Sequence, residues 1–333
     1  MRRLLNKRVI SRISPPLKNF NHGHRSFPSL TAEFSSSSLR TMVATATAPR
    51  LTELNFPITP VPKNPLGEGK YIRNAAALII GDEILNGKVQ DKNTQYFATF
   101  CFQQGIDLKR VEVIPDDEAE IIEAARRMVQ KYDIVITSGG IGPTHDDITY
   151  ESLAKAFGQD LEYHEETLHR MTETNKTRAW VSLQNKEQIT AQHRMALFPN
   201  KSEVIFPCPD IWTPVVRLEG KLCVLPGVPM LFRKMLQELA PLLPLPPPHE
   251  RPFRYQIFTD SPESSIAPFL TALQERVKND GIRIGSYPFF GRGVCVSLIG
   301  LDKPSILALG GEVIKETGGY IITEKELDEM RQA

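Results

Sequence analysis

The chain has 333 residues, 41% hydrophobic and 24% charged, enough for one or two globular domains with ample core. Its net charge of +1 is unevenly spread: residues 1–50 hold nine Lys/Arg and one acid, Glu33, which leaves 31 basic and 38 acidic residues beyond them. A mildly acidic body argues against nucleic acid as a partner. No apolar run approaches the roughly 18–20 residues that a spanning helix needs, so no membrane is expected either.

Residues 1–41 are rich in Arg and Ser. MRRLLNKRVISRI sets Leu4, Leu5 and Ile13 among Arg2, Arg3, Lys7, Arg8 and Arg12. That pattern predicts a mitochondrial transit peptide and a matrix location. Met42 opens MVATATAP, which reads as a second start giving a shorter cytosolic form. The 42–71 stretch, with five prolines, is expected to be an unstructured lead-in.

From residue 72 the pattern is regular. Ala75–Ile80 reads as a strand buried on both faces. GDEILNGK follows as a loop. Asn93, Tyr96, Phe97, Phe100 and Cys101 have helical spacing, ended by Gly105. A strand at 108–114, a helix around 121–129, a strand at 133–137 and a helix at 148–157 continue the series. This β-α alternation predicts a three-layer αβα domain with a mostly parallel sheet over 72–240. Residues 160–200 are polar and read as a helical cover. A hairpin at 215–218 and 222–225 leads through LPGVP (225–229) into a helix at about 230–239. PLLPLPPP ends that helix, and 241–250 reads as a linker. Residues 251–325 then show βαββαβ order, a small ferredoxin-like α+β domain. Four cysteines lie far apart with no CxxC, which predicts reduced, buried thiols.

Ligands of parallel sheets bind at the carboxyl ends of the strands. Two acid pairs fall there: Asp82–Glu83 after the first strand, and Asp146–Asp147 in SGGIGPTHDD (138–147). Gly139, Gly140 and Gly142, with Ser138 and Thr144 as further donors, read either as a tight turn or as a phosphate cradle; the strand–turn–helix context favours the cradle. One of the two aspartates is expected to cap the helix at 148. Paired acids repel phosphate unless a divalent cation lies between them, so a magnesium-type oxygen site is expected. His145 reads as solvated. Arg194 reads either as a phosphate contact or as a surface arginine.

Four segments resemble the molybdopterin-binding-like domain of the CinA family: IIGDEILNGKVQDKNTQYFA (79–98), DIVITSGGIGPTHDDITYESLAKAFG (133–158), HRMALFP (193–199) and LPGVP (225–229). The domain is similar to the front part of eukaryotic FAD synthases and, more distantly, to MogA and gephyrin. IGSYP (284–288) resembles part of the small domain that follows in these proteins. The resemblance implies a MogA-like fold and metal-dependent cleavage of a nucleotide diphosphate, with FAD (to FMN and AMP) or ADP-ribose as substrate. Asp82, Glu83, Asp146 and Asp147 would be the catalytic and metal-holding residues, with Mg, Mn or Co as the ion. Ser138, Gly139, Gly140, Gly142, Thr144, Arg194, Gly227, Pro229 and Asn93 would bind phosphate or nucleotide. Relatives' habits imply self-association as a dimer or trimer. The synthase domain of FAD synthases and the amide-hydrolysing domain of CinA are not recognised here, and Ile211-Trp212-Thr213-Pro214-Val215 stands where relatives have a glycine turn. The altered turn leaves two other readings open: a flavin or pterin nucleotide binding module without turnover, and a molybdopterin-handling transferase.

Overall fold

In the computed structural model of the protein, residues 54–332 are described, except 177, 179, 180 and 182. The expected transit peptide, the Met42 start and the first part of the lead-in lie outside the described residues.

Strand β1 (Asn74–Ile80) is followed by a single turn, α1 (Asp82–Leu85), and α2 (Asn93–Gln104). Then come β2 (Asp107–Ile114), α3 (Glu118–Lys131), β3 (Ile134–Ser138) and α4 (Thr149–Phe157). A cover follows: β4 (Leu161–Tyr163), α5 (Glu165–Lys176), α6 (Lys186–Arg194) and β5 (Leu197–Pro199), with β4 and β5 paired antiparallel. β6 (Glu203–Ile205), β7 (Val215–Leu218), β8 (Leu222–Leu225) and α7 (Pro229–Leu239) complete the larger unit. Its six strands run in the order β2-β1-β3-β8-β7-β6. The first four are parallel, and β7 runs antiparallel to both β8 and β6, so the sheet is mixed at one edge.

Side-chain alternation explains the layers. Ala75, Ala77 and Ile79 of β1 meet Phe97 and Cys101 of α2 and Phe232 and Leu236 of α7 on one face. Ala76, Leu78 and Ile80 meet Ile121 and Met128 of α3 and Leu153 of α4 on the other. The four cysteines are free and buried.

Two expectations are corrected. Residues 54–71 are not unstructured. The Phe56 amide donates to Pro209 O (2.7 Å), the Thr59 amide donates to Phe206 O (3.0 Å), and Asn64 closes a turn over residues 64–70. Buried Arg170 stacks on Phe56 and Phe206 and donates to Pro57 O at 2.7 Å. Proline removes an amide but leaves a carbonyl, and an extended strap needs few amides. Nor is 241–250 a free linker, because Leu242 and Leu243 are buried in the core beside α7. Their side chains outweigh the proline content around them.

The remaining chain forms β9 (Phe253–Thr259), α8 (Glu263–Val277), β10 (Arg283–Phe289), β11 (Gly293–Gly300), α9 (Lys303–Thr317), β12 (Tyr320–Ile321) and α10 (Glu324–Gln332). Its antiparallel sheet has the order β10-β11-β9-β12, the ferredoxin-like arrangement. α10 goes beyond the expected βαββαβ unit; its Leu327 is buried against Phe258, Cys295 and Ile322.

Candidate functional site at the carboxyl ends of the parallel strands

The register brings four strand ends to one level. Ile80 pairs Ile114, Ile79 pairs Ser138, and Ser138 pairs Leu225. The residues just beyond are Asp116 after β2, Gly81-Asp82-Glu83 after β1, Gly139 after β3 and Gly227 after β8. Glycine is required where these ends crowd. Gly139 has φ 110°, and a Cβ there would overlap the Ile80 carbonyl oxygen. A Cβ on Gly227 would lie 3.3 Å from the Gly139 Cα. Gly140 has φ 65°, where a side chain would strike the Thr149 hydroxyl.

The turn is held by its own helix. The Thr149 amide donates to Gly140 O and its hydroxyl donates to Gly139 O, each at 3.0 Å. Among the described residues the amides of Gly140, Ile141 and Gly142 have no protein acceptor. Three consecutive free N–H groups are the donors that an anion-binding cradle needs. Buried Asn93, at the start of α2, donates to Ser138 Oγ (2.8 Å) and Gly227 O (2.9 Å), tying β3 to the LPGVP turn, while its own Oδ1 has no partner. Gly227 and Pro229 are exposed at the mouth, where α7 starts without a side-chain cap.

Neither aspartate caps α4. Its N-cap is Ile148, with no side-chain bond. Asp147 instead accepts from the Thr144 amide (2.9 Å) and the Thr144 hydroxyl, closing the loop on itself. Asp146 is exposed, and its pKa is lowered first by the Thr144 hydroxyl, with its own amide and His145 adding to the fall. Arg194 is committed to the loop. Its Nη1 donates to Thr144 O (2.9 Å), its Nη2 to Asp147 O (3.0 Å) and its Nε to Glu151 (3.2 Å). It is therefore a clamp on the loop rather than a free phosphate contact.

Asp116 is the residue that sequence reasoning missed. Its Oδ2 accepts from the Asp82 amide at 3.0 Å. Burial raises its pKa; Glu83, Asp82 and Asp146 raise it further, against the lowering by that hydrogen bond. The acids of three loops therefore share one electrostatic environment. The overlooked signal is a third acid pair, Asp116-Asp117, directly behind β2. Asp117 caps α3 through Ala119 N and Glu120 N, which leaves Asp116 for the site.

Among the described residues, no three His, Cys, Asp or Glu side chains converge as a closed metal cage. The donor set still fits a hard divalent ion. It is all carboxylate oxygen, and such ions are commonly held by one or two carboxylates with water and substrate phosphate completing the shell. Burial first, and the charges of Glu83, Asp82 and Asp146 after it, raise the Asp116 pKa; the second part is what a cation would relieve.

Comparison with known proteins shows the family. Residues 76–245 match the family described as a probable molybdopterin binding domain, and residues 252–301 match the middle domain of FAD synthase. A probable FAD synthase of Caenorhabditis elegans is 33% identical over 229 residues, 65% of this chain and 44% of the relative. The chain thus spans less than half the length of that relative. A protein of Pyrococcus horikoshii is 32% identical over 76% of this chain and 97% of its own length. A crystal structure of the protein CinA from Thermoplasma acidophilum, 30% identical, covers 51% of this chain and 97% of its own, with a TM-score of 0.45. The chain belongs to the molybdopterin-binding-domain family and is related to FAD synthase.

Proposed function

We propose that the chain hydrolyses the diphosphate linkage of a dinucleotide, with FAD or ADP-ribose as substrate and Mg, Mn or Co as the activating ion. The observation that carries this reading is the row of three unpaired amides, Gly140 to Gly142, with the Asp116 carboxylate beside Gly140 and the Asp147 carboxylate beside Gly142. Amides that await an acceptor suit the non-bridging oxygens of a phosphoryl group, and they strengthen as charge develops there. Carboxylates alone would repel that group. Asp82, Glu83, Asp116 and Asp146 would hold the ion, and Asp147 would share in it through the oxygen that Thr144 does not take. When bound, the ion neutralises the phosphoryl charge and acidifies water. Arg194 and Thr149 keep the loop in place, while Asn93 joins the two glycine turns. Water adds to one phosphorus, the bridging P–O bond breaks, and two monophosphates leave, FMN and AMP in the FAD case.

The test incubates the chain with FAD or ADP-ribose and each metal in turn and follows monophosphates by chromatography. The expected result is metal-dependent product that Asp146→Ala and Asp116→Asn reduce. No product with any metal would remove the enzyme reading. One observation favours a second reading, a nucleotide-binding module without turnover: the carboxylates do not converge into a closed cage. Calorimetry that finds tight FAD binding, with no product over hours, selects it.

A further inference from the structure

IGSYP (284–288) has no part in the strand-end site. Its strand pairs β11, which pairs β9, and the register builds cross-strand rows on one face. One row is Arg283–Ile299–Arg254, and the next is Gly285–Ser297–Gln256. The opposite face, with Ile257, Val296 and Leu298, packs against α8 and α9. The face bearing the rows looks across a cleft at α2, where the Arg254 guanidinium lies 3.9 Å from the Phe102 ring centroid. The largest cavity there is about 570 Å³, and a neighbour of about 310 Å³ shares Phe102 and Arg254 with it.

Four polar groups of this cleft lack partners. Ser297 is 2% exposed, and its Oγ makes no hydrogen bond. Among the described residues the Arg283 guanidinium, the Gln256 amide and the Tyr287 hydroxyl have neither a hydrogen bond nor an ion pair. A Cβ at Gly285 would come within 3.2 Å of the Tyr287 hydroxyl and 3.3 Å of its ring, so this glycine makes room for the ring to lie along the sheet. Arg254 has one carboxylate, Glu324, at 3.9 Å, and Glu324 and the nearby Asp328 are also paired with Arg331.

We propose that this cleft is a ligand site for a nucleoside monophosphate. Two guanidiniums in one row suit a phosphate. Tyr287 offers a half-exposed face for a planar ring. Ser297 and Gln256 would meet the ligand's polar edge, gaining the partners they lack. The cavity lined by Arg254, Arg283, Tyr287 and Ser297, about 310 Å³, lies at the lower end of small-ligand sites, about 300–1,000 Å³. The proposal stands apart from the hydrolysis reading and does not depend on it.

The test is calorimetric titration of the full chain with AMP in EDTA, comparing wild type, Arg283→Glu and Tyr287→Ala. Arg283 and Tyr287 are exposed, and melting temperatures check that the variants remain folded. The expected result is AMP binding that Arg283→Glu weakens at least about tenfold and that Tyr287→Ala also weakens. Binding intact in Arg283→Glu would overturn the proposal and assign the nucleotide to another part of the chain. Inorganic phosphate bound as tightly as AMP would overturn it by removing the ring from recognition. So would no AMP binding at all.

Discussion

Ser138 and Ser297 are equally buried, each 2% exposed, one on each sheet. The Ser138 hydroxyl oxygen accepts from Asn93 at 2.8 Å; the Ser297 hydroxyl has no partner. The contrast extends to their surroundings. At the carboxyl edge of the larger sheet, side chains bond the backbone of the loops: Arg194 to the Thr144 carbonyl, Asp147 to the Thr144 amide, Thr149 to the Gly139 carbonyl, Asp116 to the Asp82 amide. What stays free there is mainly backbone, the three amides of Gly140 to Gly142, with the Asn93 Oδ1 beside them. On the open face of the smaller sheet the backbone is paired by the ladder, and what stays free is side chain. A site whose side chains brace its backbone is pre-organised for a charge that develops during reaction. A face with unpartnered side chains is suited to binding something that supplies partners.

The comparison breaks most sharply at Gly139. Gly139→Ala should cost about 3 kcal/mol or more, because φ 110° and the Ile80 carbonyl both oppose a Cβ. Gly158→Ala, at φ 62° in open space, should cost about 1–2 kcal/mol. Urea unfolding compares them, and equal losses would show that close approach is not what the strand-end turn requires.

Asp116→Asn keeps an acceptor for the Asp82 amide and removes the charge. Hydrolysis should fall on the order of 10–100-fold. The same variant tests the electrostatics in metal-free buffer. An aspartate whose pKa is raised on folding holds its proton more tightly folded than unfolded. Well below the ordinary value of about 3.9 it contributes nothing to stability; as pH rises through the raised folded value its contribution becomes unfavourable. Wild type should therefore lose stability relative to Asp116→Asn from acid to neutral pH. A difference that stays constant with pH would show that the carboxylates do not act on one another.

Arg194→Ala should lower kcat/KM about tenfold by freeing the 144–147 loop, and Arg194→Lys should not restore it, since one ammonium cannot reproduce a planar fork set on three acceptors. Rescue by lysine would instead indicate a simple charge contact with phosphate.

Much of the larger unit is legible because its strands are buried on both faces and its helices are periodic. Ala75–Ile80 could be little else, and SGGIGPTHDD announces a turn that needs glycine. Asp116 was hidden because its role depends on β2 lying beside β1, a spatial fact that no local pattern carries. The cap expected from one of Asp146 and Asp147 is absent because Thr144 competes for Asp147 before the helix begins. Composition misled at 54–71, where Arg170 and two backbone hydrogen bonds hold a proline-containing strap. In the smaller unit the element order was readable, but its open face was not, because a period of two does not say which side an adjoining helix will cover.

The smallest effects return to the two serines. Ser138→Ala should cost about 1 kcal/mol, since Asn93 keeps only the Gly227 carbonyl as acceptor. Ser297→Ala should be neutral or stabilising by up to about 1 kcal/mol, because it removes a buried hydroxyl that nothing satisfies. Paired urea titrations of the ligand-free protein read the difference. If Ser297→Ala proves as costly as Ser138→Ala, the hydroxyl has a partner in the ligand-free protein and the two faces are alike. If it stabilises the free protein yet lowers the gain in midpoint on adding AMP, the same atom is a defect in the free fold and a contact in the bound one.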